Sequence, residues 1–129
     1  MEYVTLVVII ALFEYVFFTM RTGKARMDSG LKAPAVTGDE MFERFFRVQQ
    51  NTLEQIVVFI PSIYICATYL NEPVAAVIGL LFIVGRAYYF MSYTTAPEKR
   101  GPGMIITVSS SALLLLGGLS GVVMQLMGK

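Results

Sequence analysis

Seven strongly polar residues crowd between Glu43 and Glu54, where the chain reads ERFFRVQQNTLE before turning apolar as far as Leu70. On a helix, Glu43, Arg47, Gln50 or Asn51, and Glu54 recur at three and four residues and share one face. A second stripe, Arg86, Tyr89 and Tyr93, has the spacing i, i+3, i+7, and Arg100 follows it by seven residues. With Arg26 and Gln49 these form a convergent set: Arg26, Arg47, Gln49, Asn51, Glu54, Arg86, Tyr89, Tyr93 and Arg100. Guanidinium groups grip carboxylates in a two-pronged geometry, Glu54 suits an ammonium, and Asn51 and Gln49 match the edges of peptide groups. The set therefore fits a small zwitterion with several carboxylates, an amine and peptide bonds. Cations outnumber acids within it, so mutual pairing does not exhaust it. Glu43 and Arg44, at the first helical turn, are expected to serve local pairing only.

The elements that position these residues follow from composition. The chain has 129 residues, 56% of them hydrophobic and 15% charged, with a mean hydropathy of +0.66. That is too apolar for a soluble domain of this size, and a membrane protein is expected. A net charge of +1 gives no field for nucleic acid. The chain has no histidine, which excludes His-based metal sites and triads, and no metal is expected. Its one cysteine, Cys66, rules out an intrachain disulfide and lies in an apolar run, where an inert buried thiol is the expected state. The start, MEYVTLVVII, lacks the basic region of a secretory signal, so the first apolar run reads as a retained membrane helix.

A single all-α domain over 1–129, a bundle of four transmembrane helices, is predicted. The helices fall at about 3–20, 42–70, 74–93 and 104–127 by apolar length. Glu14 is the one charge in the first span; the simplest expectation is a bond to a hydroxyl or a cation on a neighbouring helix. Residues 21–40 form a polar connection, long enough to allow a helical extension or a functional cover. Thr37 or Asp39 is the expected cap of the second helix, Pro61 is expected to kink it, and Asn71-Glu72-Pro73 reads as a tight turn. Ser109–Ser111 and the glycines at 117, 118 and 121 permit close helix approach; Gly117-x-x-x-Gly121 fits dimerisation and intrachain packing equally well. Four spans put both termini on one side. The other side holds Arg21, Lys24, Arg26, Lys32, Lys99 and Arg100, so that side is expected to be cytoplasmic. A bacterial inner membrane is the expected host.

The pattern E-R-x-x-R-x-Q-x-N-x-x-E at Glu43–Glu54 resembles the signature of the MAPEG family, the membrane-associated proteins in eicosanoid and glutathione metabolism. The similarity continues in R-x-x-Y-F-x-x-Y at Arg86, Tyr89, Phe90 and Tyr93, with Arg100 where leukotriene synthase-type members carry a catalytic arginine. It covers essentially the whole chain. The resemblance implies a homotrimer, with glutathione as co-substrate held between subunits near the cytoplasmic face. Arg47, Asn51 and Glu54 would hold glutathione from one subunit. Arg26, Gln49, Arg86, Tyr89 and Tyr93 would add polar contacts, some from the adjacent subunit, and Arg100 would sit by the sulfur.

A free thiol has a pKa of about 8.5, so a fixed cation beside it raises the small thiolate fraction present at neutral pH. The activity implied is that of a glutathione S-transferase, with possible glutathione peroxidase activity, acting on a lipophilic electrophile or a lipid hydroperoxide. Two departures bear on the substrate: Gln55 stands where eicosanoid synthases have a tyrosine, and Met27 where leukotriene-forming members have a second arginine. Both point toward a general transferase or peroxidase. The competing readings are a non-catalytic lipid-binding member that presents its ligand to another protein, and a small four-helix exporter with Glu14 as its central acid. Arg100 argues against the first, and the several arginines at bilayer depth argue against a cation path.

Overall fold

A computed structural model describes residues 1–128. Four helices follow one another: α1 (Glu2–Ser29), α2 (Glu40–Tyr69), α3 (Glu72–Thr95) and α4 (Gly101–Leu126), with a 3-10 turn at Pro97–Lys99 before the last. All four are long and apolar enough to cross a membrane. Alternation of direction is fixed at both ends. At one end the backbone N–H groups of Tyr3 and Val4 donate to Glu72 Oε2, at 3.0 and 3.3 Å. At the other, Arg44 Nη1 donates to the Thr94 and Thr95 carbonyls, at 3.2 and 3.1 Å.

The first helix departs from the expected span. It runs past Met20 to Ser29, through good helix formers such as Lys24, Ala25 and Arg26, and stops only at Gly30. Gly30 takes φ 75°, and its N–H donates back to the Arg26 and Met27 carbonyls. At about 1.5 Å per residue such a helix is longer than a hydrocarbon core of about 30 Å. Arg21, Lys24 and Arg26 are thus helical residues, and the connection shrinks to 30–39.

α2 begins at Asp39, whose side chain accepts the Phe42 N–H at 2.9 Å. Glu43 Oε2 accepts the Gly38 N–H at 2.9 Å, so this acid secures the helix entry. The helix continues unbroken through Pro61. The expected turn at Asn71–Pro73 is tighter still: Asn71 caps α3 by accepting the Val74 N–H at 2.9 Å, and Pro73 already lies in the first turn.

Two buried clusters divide the bundle. The larger one includes Val4, Ala11, Phe59, Ile63, Cys66, Phe82 and Leu114, with the Phe59 and Phe82 rings stacked 3.9 Å apart. The smaller, toward the loop end, joins Phe18, Val48 and Tyr89, with Phe90, Tyr93 and Met104 against them. Gly121 faces the Tyr69 backbone, and Gly117 faces Cys66 Sγ. The Gly117-x-x-x-Gly121 spacing therefore serves packing of α4 on α2 within the chain.

Candidate ligand-binding site at the loop end of the bundle

Three helices contribute to one cavity of about 320 Å³, lined by Arg47, Asn51, Tyr89, Tyr93, Arg100 and Met104. Arg47 and Asn51 lie one turn apart on α2. Tyr89 and Tyr93 lie one turn apart on α3, their ring centres 5.5 Å from each other. Arg100 is the residue from which α4 starts, and its Nη1 donates to the Pro97 carbonyl at 3.2 Å. The lining holds two guanidinium groups and no carboxylate. The free backbone N–H groups at the start of α4 add positive potential on the same side.

Gly103 brings α4 this close to α3. A Cβ at this position would lie 2.7 Å from both Cα and N of Tyr89. Gly103→Val is therefore expected to push the start of α4 off α3, at a cost on the order of 1–3 kcal/mol. Arg100 would be separated from the two tyrosines. A lowered melting temperature in detergent and a weakened ligand affinity in the same sample are the expected readings.

Beneath the cavity lies Arg86, 0% exposed and among the largest fully buried side chains in the bundle. Its Nη1 donates to Asn51 Oδ1 at 2.7 Å and to Thr52 Oγ1 at 3.1 Å. Its Nε donates to Thr107 Oγ1 at 3.1 Å, and its Nη2 approaches Met104 Sδ at 3.6 Å. The guanidinium also lies 4.3 Å from the centre of the Tyr89 ring. A buried cation is tolerated where its donors are satisfied, and here acceptors from α2 and α4 satisfy most of them.

Of the nine residues singled out from the sequence, Arg47, Asn51, Tyr89, Tyr93 and Arg100 line the cavity, and Arg86 supports it from below. The other three do not line it. Glu54 is on the same side of α2 as Arg47 but about 10 Å further along the axis; it is exposed and makes no hydrogen bond or ion pair among the described residues. Gln49 lies two residues from Arg47, about 200° around the helix, and is half-buried on another side of α2. Arg26 donates through Nη1 to the Ala35 carbonyl at 2.8 Å, and its guanidinium sits 4.5 Å from the centre of the Phe42 ring.

Arg44 and Glu43 have the local roles expected of them. Arg44 also pairs with Glu40 Oε1 at 3.1 Å while closing the end of α3. Glu14 makes no bond to the hydroxyl or cation expected: its Oε1 is buried with no hydrogen-bond partner among the described residues, and the charge of Arg86 reaches it only through space. Sequence reasoning missed Thr52, Thr107 and Met104 as neighbours of Arg86, and Gly103 as the point of closest approach. Gly103 and Thr107 stand four apart on α4, the one available sign that this face meets another helix. No group of His, Cys, Asp and Glu suited to a metal occurs among the described residues.

Four membrane-length helices with a cavity lined by two arginines at the loop end describe an integral membrane protein. The chain belongs to the MAPEG family, whose model matches residues 4–120. It is 40% identical to microsomal glutathione S-transferase 2 of Homo sapiens over 106 residues, 82% of this chain and 72% of that one. It is 38% identical to protein sll1147 of Synechocystis over 121 residues, 94% of this chain and 88% of that one. Leukotriene C4 synthase of Cavia porcellus is 28% identical over 99 residues, 77% of this chain and 66% of that one.

Proposed function

We propose that the chain is a membrane-bound glutathione transferase that binds glutathione in the Arg47–Arg100 cavity and holds its sulfur as thiolate beside Arg100. The observation that carries this reading is the acid-free lining: two guanidinium groups, one amide and two phenols open onto one small space. Such a lining favours a ligand rich in carboxylates and carbonyls and favours the charged form of a thiol. Relatives named as glutathione transferases add support at family level.

The thiolate attacks the electrophilic carbon of a lipophilic substrate arriving from the bilayer, a C–S bond forms, and the leaving group departs with its electron pair. With a lipid hydroperoxide the same thiolate would attack the terminal oxygen: an S–O bond forms, the O–O bond breaks, the alkoxide leaves and is protonated to the alcohol, and a second glutathione reduces the resulting sulfenic acid to the disulfide and water, a peroxidase activity of the same site. The basic residues of the loop end support a cytoplasmic orientation for it under the positive-inside rule, and the Synechocystis relative supports a bacterial inner membrane as host.

The zwitterion's ammonium needs an acid, and none lines the cavity. Glu54, exposed at a membrane-spanning depth, supports a site completed between protomers of a homotrimer, with Arg26 and Gln49 drawn from a neighbour. Glu54→Gln is expected to raise the Kd for glutathione about tenfold or more, since a hydrogen bond to a charged group is worth about 1.5–3 kcal/mol. Isothermal calorimetry checks it; an unchanged Kd would remove Glu54 from the site.

Purified protein given glutathione and chlorodinitrobenzene is expected to turn over. Binding of glutathione without turnover toward any electrophile or hydroperoxide would favour a lipid-presenting role instead.

A further inference from the structure

Arg86 offers only N–H groups to its surroundings. An amide facing such a donor at 2.7 Å must turn its oxygen toward it. The polarity of the Asn51 side chain is thus decided by chemistry: Oδ1 points down to Arg86, and the Nδ2 amino group is what remains for the cavity that Asn51 lines.

Arg86 itself has little freedom to release that oxygen. Thr52 holds it from α2 and Thr107 from α4, the Tyr89 ring covers it, and it has no exposed surface. Thr107 Oγ1 donates its own proton to the Gly103 carbonyl at 2.8 Å, which leaves a lone pair directed at Arg86 Nε. Every bond in this chain is donated outward from Arg86: Nη1 to Asn51 on one side, and Nε to Thr107, which donates on to Gly103, on the other.

We infer that Arg86 is a positioning residue that acts through Asn51: it locks the amide so that the cavity presents a donor there, which selects a carbonyl or carboxylate oxygen of the bound tripeptide and not its amine or an amide N–H. Arg47, Arg100 and the Asn51 amino group then make a continuous donor surface, the two tyrosine hydroxyls being free to act in either sense. The inference rests on glutathione being the ligand, and it names which atoms of glutathione face α2.

The test compares Asn51→Asp with Asn51→Leu in the full-length protein. Aspartate keeps an oxygen for Arg86 and replaces the amino group with a second acceptor; leucine removes both. The added carboxylate also lowers the positive charge of the cavity, so the lost donor is reported by weaker binding in both variants, leucine removing it without a change in charge. The expected result is a melting temperature at or above wild type for Asn51→Asp and a lower one for Asn51→Leu, with glutathione Kd raised about tenfold or more in both. Asn51→Asp that binds glutathione as tightly as wild type would overturn the inference, because the ligand would then be using the oxygen. Equal melting temperatures for the two variants would also overturn it, because Arg86 would not be holding that oxygen. Failure of the wild type to bind glutathione is a separate result: it would defeat the glutathione reading, and the melting comparison would still report on the Arg86–Asn51 bond.

Discussion

Arg100→Ala is expected to slow glutathione conjugation at pH 7 by about ten- to a hundredfold while changing the glutathione Kd by only a few-fold. A unit charge about 4 Å from the sulfur is worth about 1 kcal/mol at the dielectric of water and about 4 kcal/mol at an effective dielectric of 20. Each pH unit by which a thiol's midpoint falls corresponds to about 1.4 kcal/mol. A partly exposed site such as this lies between those limits, so Arg100 is expected to lower the midpoint of a thiol bound beside it by about one to two pH units from about 8.5. The sign follows: the cation favours the anion, so its removal returns the midpoint upward and depletes thiolate at neutral pH.

The variant should therefore recover rate as pH rises through about 8.5, where the free thiol ionises unaided. Arg47 and the start of α4 remain, which limits the loss. Conjugation rates measured across pH for wild type and variant check this. A uniform loss at every pH would assign Arg100 to substrate placement and not to ionisation.

The second large effect is on stability. Arg86→Ala is expected to destabilise the bundle by about 3–5 kcal/mol, the scale for breaking a buried charged network from one side. It leaves the acceptors on Asn51, Thr52 and Thr107 without their donor and opens a cavity where a fully buried side chain stood. Arg86→Met refills most of the volume without restoring the bonds, so it should fall between wild type and alanine. Thermal unfolding in one detergent, followed by helix signal, orders the three. If alanine melts with wild type, the clamp contributes nothing to holding α2, α3 and α4 together.

Much of this arrangement was legible before the coordinates. Apolar runs gave four spans, and the i, i+3, i+7 rule put Arg86, Tyr89 and Tyr93 on one face of α3, where Tyr89 does meet both of the others. The same rule put Arg47 and Asn51 together on α2. Periodicity orders residues around a helix but does not say which neighbour that face meets or at what depth. So Arg86 read as one more ligand contact, although it lies wholly buried under the cavity. Glu54 shares a face with Arg47 yet lies too far along the axis to line the same space within one chain.

Arg26 illustrates a different failure. Its polar surroundings allowed either a helical extension or a cover; the extension is what forms, ending only at a left-handed glycine, and it commits the Arg26 guanidinium to Ala35 and Phe42. Gly103 has no side chain to read, and only its spacing from Thr107 hinted that this face meets another helix; its approach to the Tyr89 backbone is what brings α4 onto α3.

The claim on which the functional account depends is that this cavity ionises a bound thiol. Thiolate absorbs in the ultraviolet where the thiol does not, so a difference titration of glutathione on the purified wild-type protein measures it without any electrophile present. The account predicts a thiolate midpoint at least about one pH unit below the free value of about 8.5, at a stoichiometry set by the occupied sites. Saturating glutathione whose thiol still titrates at about 8.5 would contradict it.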